Sequence, residues 1–172
     1  MSFKSQIKAS LGWDWNQGVR DNDRLDYAKS LSDGSGDNQA EAAWHVEQQT
    51  LPLGESIDYD LTNLARMVLG VSLSTAFAAI KAVLLVNEST DGGDLRVGGA
   101  EDDPWSAPLG GESDGVLVPA DSVMLLSNRQ SGWAVDSASR NLRLTASGGD
   151  VTYSIAVVGT LSASDSSSGS GT

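Results

Sequence analysis

Apolar and polar residues alternate with period two over much of this chain, which is the signature of strands with one buried face. In 151–158, Val151, Tyr153, Ile155 and Val157 share one face, with Thr152, Ser154 and Ala156 opposite. In 141–146, Leu142 and Leu144 oppose Arg143 and Thr145, and Gly148-Gly149 reads as a hairpin turn joining these two stretches. Ile57, Tyr59 and Leu61 alternate with Ser56, Asp58 and Asp60, and Val71 and Leu73 alternate with serines. Residues 115–118 and 123–126 flank a Pro119-Ala-Asp-Ser link, which predicts a second hairpin.

Three segments are ambiguous. Ala79 to Val86 is apolar on both faces, and the Asn87-Glu-Ser-Thr-Asp-Gly-Gly turn that follows favours a strand buried on both sides. Leu64, Met67 and Val68 fall at i, i+3 and i+4, as in one or two helical turns over 63–69. In 40–48, Ala40, Ala43 and Trp44 fit a short helix, whereas Trp44 and Val46 against His45 and Glu47 fit a strand.

Turn punctuation is dense, at Asp33-Gly-Ser-Gly, Asp91-Gly-Gly, Gly98-Gly99, Gly110-Gly111, Asp114-Gly115 and Gly148-Gly149. It cuts the chain into pieces too short for a helical bundle, so the expected class is all-β, a sandwich or barrel of short strands. The expected organisation is an N-terminal arm or edge strand over 1–30, a β-sandwich over 31–160 and a Ser/Gly-rich tail over 161–172. Such a tail has almost nothing to bury, so order in it implies a neighbouring subunit or partner that holds it.

The length of 172 residues suits one domain. With 23 acidic side chains against 11 Lys plus Arg and a net charge of −12, no basic patch exists to displace counterions from phosphate, which argues against nucleic-acid binding. The absence of cysteine excludes disulfides and thiolate metal sites, and a lone His45 disfavours a His-based metal site or proton relay. The opening Met-Ser-Phe-Lys-Ser-Gln does not read as a secretory signal. The apolar region 67–86 is broken by Ser72, Ser74, Thr75 and Lys81, so core strands are expected there rather than a bilayer span.

Catalytic motifs do not emerge. No Gly-x-Ser-x-Gly elbow is followed by Asp and His. The glycine pairs at 92–93 and 98–99 precede Asp94 and Glu101-Asp102-Asp103, which repel phosphate. Asp21-Asn22-Asp23, Asp33-Gly-Ser-Gly-Asp37 and Glu101-Asp102-Asp103 have calcium-loop fragments without the full spacing, and solvated turns account for them. With 23 acids, a carboxylate pair at glycosidase spacing carries no information. Asn87-Glu88-Ser89 matches a glycosylation acceptor by coincidence. The unusual feature is five tryptophans, Trp13, Trp15, Trp44, Trp105 and Trp133. Trp13 and Trp15 point the same way if extended, which suits a protein interface or a sugar platform, whereas for any single Trp an anchor in the core is the plainer reading.

Taken in order, several segments resemble a widespread group of small tailed-bacteriophage virion proteins. They are Asp33-Gly-Ser-Gly-Asp-Asn-Gln-Ala40, Ile80-Lys-Ala-Val-Leu-Leu-Val-Asn87, Leu95-Arg-Val-Gly-Gly-Ala100 before Trp105, and Thr152-Tyr-Ser-Ile-Ala-Val-Val-Gly159. The likeness covers roughly residues 30–160 and lies in order and spacing; it departs at Ser35 and at Ser154, where the group carries Thr and Asp. It implies a jelly-roll-like β-sandwich of about eight antiparallel strands used in virion architecture.

The functional expectation is therefore a non-enzymatic virion structural protein made in the bacterial host cytoplasm, a capsid decoration, cement or minor head component. Its expected partners are copies of itself, a trimer included, and other virion proteins such as the major capsid protein, with no nucleic acid, membrane, cofactor or metal. Phe3, Trp13, Trp15, Trp105 and Trp133 are the candidate subunit contacts, with Ile7 and Leu11 adding area in the arm. The alternative is a carbohydrate-binding sandwich of a tail or spike contacting host glycans, and a hydrolase with an unrecognised carboxylate pair ranks third.

Overall fold

A computed structural model describes residues 2–163 except residues 17 and 19. Among the described residues the regular elements are all strands. In chain order they are β1 (Ser5–Asn16), β2 (Arg20–Asp33), β3 (Gln39–Ala40), β4 (Ala42–Leu51), β5 (Ser56–Asp60), β6 (Leu64–Val68) and β7 (Val71–Thr75). There follow β8 (Phe77–Asn87), β9 (Asp94–Gly98), β10 (Gly115–Val118), β11 (Ser122–Ser127), β12 (Trp133–Ala134), β13 (Asn141–Ser147) and β14 (Val151–Leu161).

Eight of these make a sandwich of two antiparallel sheets, ordered β10-β9-β13-β5 and β11-β8-β14-β4, with β12 alongside β8. Counting only the eight, the first pairs with the last (β4–β14) and the second with the seventh (β5–β13). The third pairs with the sixth (β8–β11) and the fourth with the fifth (β9–β10).

The alternation read from the sequence is what the two sheets bury against each other. Val151, Tyr153, Ile155 and Val157 of β14 and Val83 and Leu85 of β8 meet Leu142, Leu144 and Ala146 of β13 and Leu95 and Val97 of β9 in one core. Trp44 lies there edge-on to Tyr59, 5.1 Å between centroids, and donates Nε1 to the Ala65 carbonyl at 3.2 Å. Tyr59 and Tyr153 join the sheets through a hydroxyl–hydroxyl hydrogen bond of 2.7 Å. For Tyr59, burial first and the Tyr153 hydroxyl second push the phenol well above its ordinary pKa; for Tyr153, burial outweighs the opposing hydrogen bond and the shift is also upward. At Gly159, where the β14–β8 register slips, a Cβ would run into the Ala79 carbonyl, so the ladder closes only over glycine.

Several local readings are corrected. The stretches on either side of Gly148-Gly149 do not form a hairpin: β13 pairs with β5 and β9, while β14 pairs with β4 and β8. Likewise β10 pairs with β9 and β11 with β8, so the Pro119–Ser122 link also crosses between sheets. In a sandwich, facing strands of opposite sheets show the same alternation as paired strands of one sheet, and short-range pattern does not separate the two cases. The helical reading of 63–69 fails because β6 and β7 form a hairpin through Leu69 and Gly70, at φ 50° and 81°. Positive φ at both turn residues is the two-residue hairpin geometry, and it places Leu69 fully in solvent. Consequently only part of 67–86 is core: Met67, Val71 and Leu73 are exposed, and β8 supplies the buried part. The strand readings of 40–48 and 79–86 agree with β4 and β8, but β8 is not buried on both sides throughout: Leu84 is exposed and Val86 half-buried on its outer face. Asn87 is fully buried, with its amide donating to the Gly93 and Val118 carbonyls, so it is no glycosylation acceptor.

The segment read as an arm or edge strand is a two-stranded ribbon, β1 against β2. Residues 164–172, most of the proposed tail, lie outside the described residues.

Candidate interaction surface

The ribbon runs antiparallel from the pair Ser5↔Leu31 to Asn16↔Arg20. At about 3.3 Å per residue its twelve residues of β1 span roughly 40 Å. Because paired residues share a face, one side carries Ile7, Ala9, Leu11, Trp13 and Trp15 together with Leu31, Lys29, Tyr27, Leu25, Asp23 and Asp21. The other side carries Gln6, Lys8, Ser10, Asp14 and Asn16 with Ser30, Ala28, Asp26, Arg24, Asn22 and Arg20.

The two sides are stabilised differently. On the polar side Ser10 Oγ donates to Asp26 at 2.6 Å, Arg24 Nε to the same carboxylate at 2.7 Å, and Arg20 to Asp14 at 3.1 Å. On the apolar side Leu11, Trp13, Trp15, Leu25 and Tyr27 stay exposed, from 40 % at Tyr27 to 69 % at Leu25. Trp13 Nε1 donates to Asp21 at 3.0 Å, which leaves the indole face open. A two-stranded hairpin is marginal alone in water, and monomers rarely leave a contiguous apolar strip of this kind uncovered.

The ribbon is anchored at its root. Ile7 and Leu31, on the apolar side, are buried with Ala40 and Ala82, and Phe3, Leu125 and Val158 pack around them. Short parallel pairing of β2 with β3 continues the anchor at Ser32↔Gln39 and Asp33↔Ala40. Beneath it, the buried Lys81 ammonium donates to the Gly36 carbonyl at 3.2 Å and to the Gln130 carbonyl. Burial pushes this lysine below its ordinary pKa, and the neighbouring Asp37 carboxylate opposes the shift. Arg129 donates to the Ser30 carbonyl at 2.8 Å, so the loop after β11 also grips β2. The apolar strip therefore starts inside the body and runs outward without changing face.

Charge separates the ribbon from the body. Residues 1–33 carry five cationic and five acidic side chains, and the rest of the chain carries six against eighteen. The whole net charge of −12 belongs to the body, and bodies repel one another where ribbons do not.

Of the five candidate contact residues, the structure brings Trp13 and Trp15 to one exposed face and sets Phe3, half-buried, at the root of the same face. Trp105 is only 2 % exposed; its Nε1 donates to the Ala134 carbonyl at 3.1 Å, and it has no surface to offer a partner. Trp133 is half-buried against the core, edge-on to Trp105 at 6.1 Å. Sequence reasoning missed Leu25 and Tyr27, whose place opposite Leu11 and Ala9 depends on the register of the reversal, although their own alternation was a signal.

The acidic runs are engaged elsewhere. Arg143 holds Asp58 through two contacts of 2.8 Å and Glu101 at 3.0 Å, and Arg140 holds Asp103 at 3.1 Å. Among the described residues no group of three or more His, Asp or Glu is placed to hold a metal ion, and no helix is long and apolar enough to cross a membrane. His45 is on the surface, its Nδ1 3.2 Å from Arg66 and its Nε2 3.9 Å from Glu47. No family model matches the chain, and no curated protein matches it.

Proposed function

We propose that this is a non-enzymatic bacteriophage virion structural protein, a capsid decoration, cement or minor head component that works by burying its ribbon against other subunits. One observation carries the reading: the apolar side of the β1–β2 ribbon is buried at its root and left open along its length. Tryptophan and tyrosine, which this strip presents together, are among the side chains that dominate binding energy at protein interfaces. The order of motifs along 33–159 supports the virion setting. The test is co-sedimentation of the purified chain with phage capsids lacking it, paired with a Trp13→Ala/Trp15→Ala variant. Saturable binding that the double variant loses is expected; no binding, or equal binding by both, overturns the reading.

A second reading has its own observation. Trp13 and Trp15 stand side by side on one face with Asp23 and Asp21 directly opposite, a pairing of stacking surface with hydrogen-bond acceptors that suits a sugar ring. Quenching or a blue shift of tryptophan fluorescence by one member of a glycan panel would establish it, and an unresponsive spectrum across the panel removes it.

A further inference from the structure

The outer face of the β11-β8-β14-β4 sheet has two halves. One half, at Ala82, Leu125 and Val158, is covered by the root of the chain's own ribbon. The other half continues along the same strands as Val123, Leu84, Val86, Ala156 and Ala43, where Leu84 is 40 % and Val123 64 % exposed. Ala43, Ser154 and Ala156 are small, and among Val46, Leu84, Val86 and Ile155 they leave a shallow, mainly apolar depression of about 280 Å³.

We propose that this open half-face is the seat for the ribbon of a second copy of the chain, with one of its exposed indoles in the depression. The inference rests on the reading of the ribbon as a contact element and names what it contacts. Continuity is the first argument: the ribbon's apolar side already packs on this sheet face within the chain, and the open half extends that same contact surface. Length is the second. At about 3.3 Å per residue the exposed Leu11–Trp15 stretch of β1 spans roughly 16 Å, against roughly 13 Å for the Leu84–Asn87 end of β8 that the root leaves open.

Area is the third argument. Five large side chains at their present exposure offer roughly 500–600 Å² of apolar surface, a major part of the roughly 800 Å² per partner of a stable interface. Charge is the fourth. A neutral ribbon approaches an acidic body without the repulsion two bodies would suffer; beside the depression His45 and Arg66 offer donors to Asp21 and Asp23, and Glu47, which also lines it, opposes them. Ribbon and seat are different surfaces, so the contact is head-to-tail; it closes into a ring or extends as a filament and does not stop at a dimer.

The absence of native cysteine makes a clean experiment available. Leu25→Cys and Ala156→Cys proteins are prepared separately, mixed and mildly oxidised. A cross-linked species in the mixture, in excess over either protein alone, is the expected result. Preferential cross-linking of Leu25→Cys with itself would instead mean ribbon-to-ribbon pairing and overturn the seat.

In parallel, Leu84→Lys and Val123→Lys are compared with the unaltered chain by mass photometry and circular dichroism. Both side chains point away from the core, so β-content should be kept while association weakens at least tenfold. If both lysine variants assemble normally while Trp13→Ala/Trp15→Ala does not, the ribbon reading stands and this seat is wrong. A chain that stays at 17.9 kDa at every concentration overturns self-association, and capsid binding is scored separately.

Discussion

The ribbon and the sandwich are written in the same sequence code and reach opposite ends. In β14 every second residue is apolar, and the facing sheet buries all of them, Val151, Tyr153, Ile155 and Val157. In β1 every second residue from Ile7 on is apolar as well, yet beyond Ile7 no described residue buries Ala9, Leu11, Trp13 or Trp15. Alternation states that a strand has an apolar face. It does not state which molecule supplies the cover. An apolar face that is continuous with the buried root and exposed along its length is the physical basis for reading the ribbon as built for a second chain.

The contrast predicts a hierarchy of effects. The largest belongs to the sandwich: Leu144→Ala, at a fully buried position, should cost about 2–5 kcal/mol in urea unfolding. Leu11→Ala on the ribbon should shift the same unfolding free energy by no more than about 0.5 kcal/mol. Equal losses from the two would break the comparison.

Next comes the ribbon's own role. Trp13→Ala/Trp15→Ala should leave the melting temperature of the body in place and weaken association by about 2 kcal/mol or more, roughly thirtyfold, read by analytical ultracentrifugation. An unchanged association constant would remove the indoles from the interface.

Smaller is the effect at the junction. Lys81→Met strips the Gly36 and Gln130 carbonyls of a donor and should cost about 1–3 kcal/mol. The loss should appear first as faster hydrogen exchange at the ribbon root, around Leu31 and Ala40, and later in β13. Uniform acceleration through both regions would mean that root and sandwich open together.

The smallest effect concerns pH. Tyr59 and Tyr153 hold their protons more tightly folded than unfolded, so their contribution is complete below the ordinary tyrosine value of 10.0 and is lost as pH climbs above it. Stability of the sandwich should fall above pH 10, and Tyr59→Phe/Tyr153→Phe should flatten that decline. An identical alkaline slope in the Phe variant would remove the tyrosine pair as its cause.

Much of this was legible in the residues. Strand positions at β5, β13 and β14 follow from alternation, and the all-β class from turn spacing. The exposure of Trp13 and Trp15 on a common face follows from their separation by two. Other features were not legible. The two supposed hairpins failed because alternation is identical for strands joined edge to edge and strands stacked face to face. The supposed helix over 63–69 failed because Leu69 and Gly70 adopt a turn whose left-handed backbone only the glycine announced. Trp105 looked like a contact residue because nothing near it in sequence shows that Ala134 and Trp133 close over it.

The sequence by itself determined which segments are strands and which of their faces avoid water, since backbone geometry makes both a matter of neighbours one or two residues away. Only the tertiary structure decided which strands pair, which apolar faces find each other, and which one is left over. Those outcomes depend on contacts between residues distant in the chain, such as Tyr59 with Tyr153 or Ile7 with Ala82, and no local pattern encodes them.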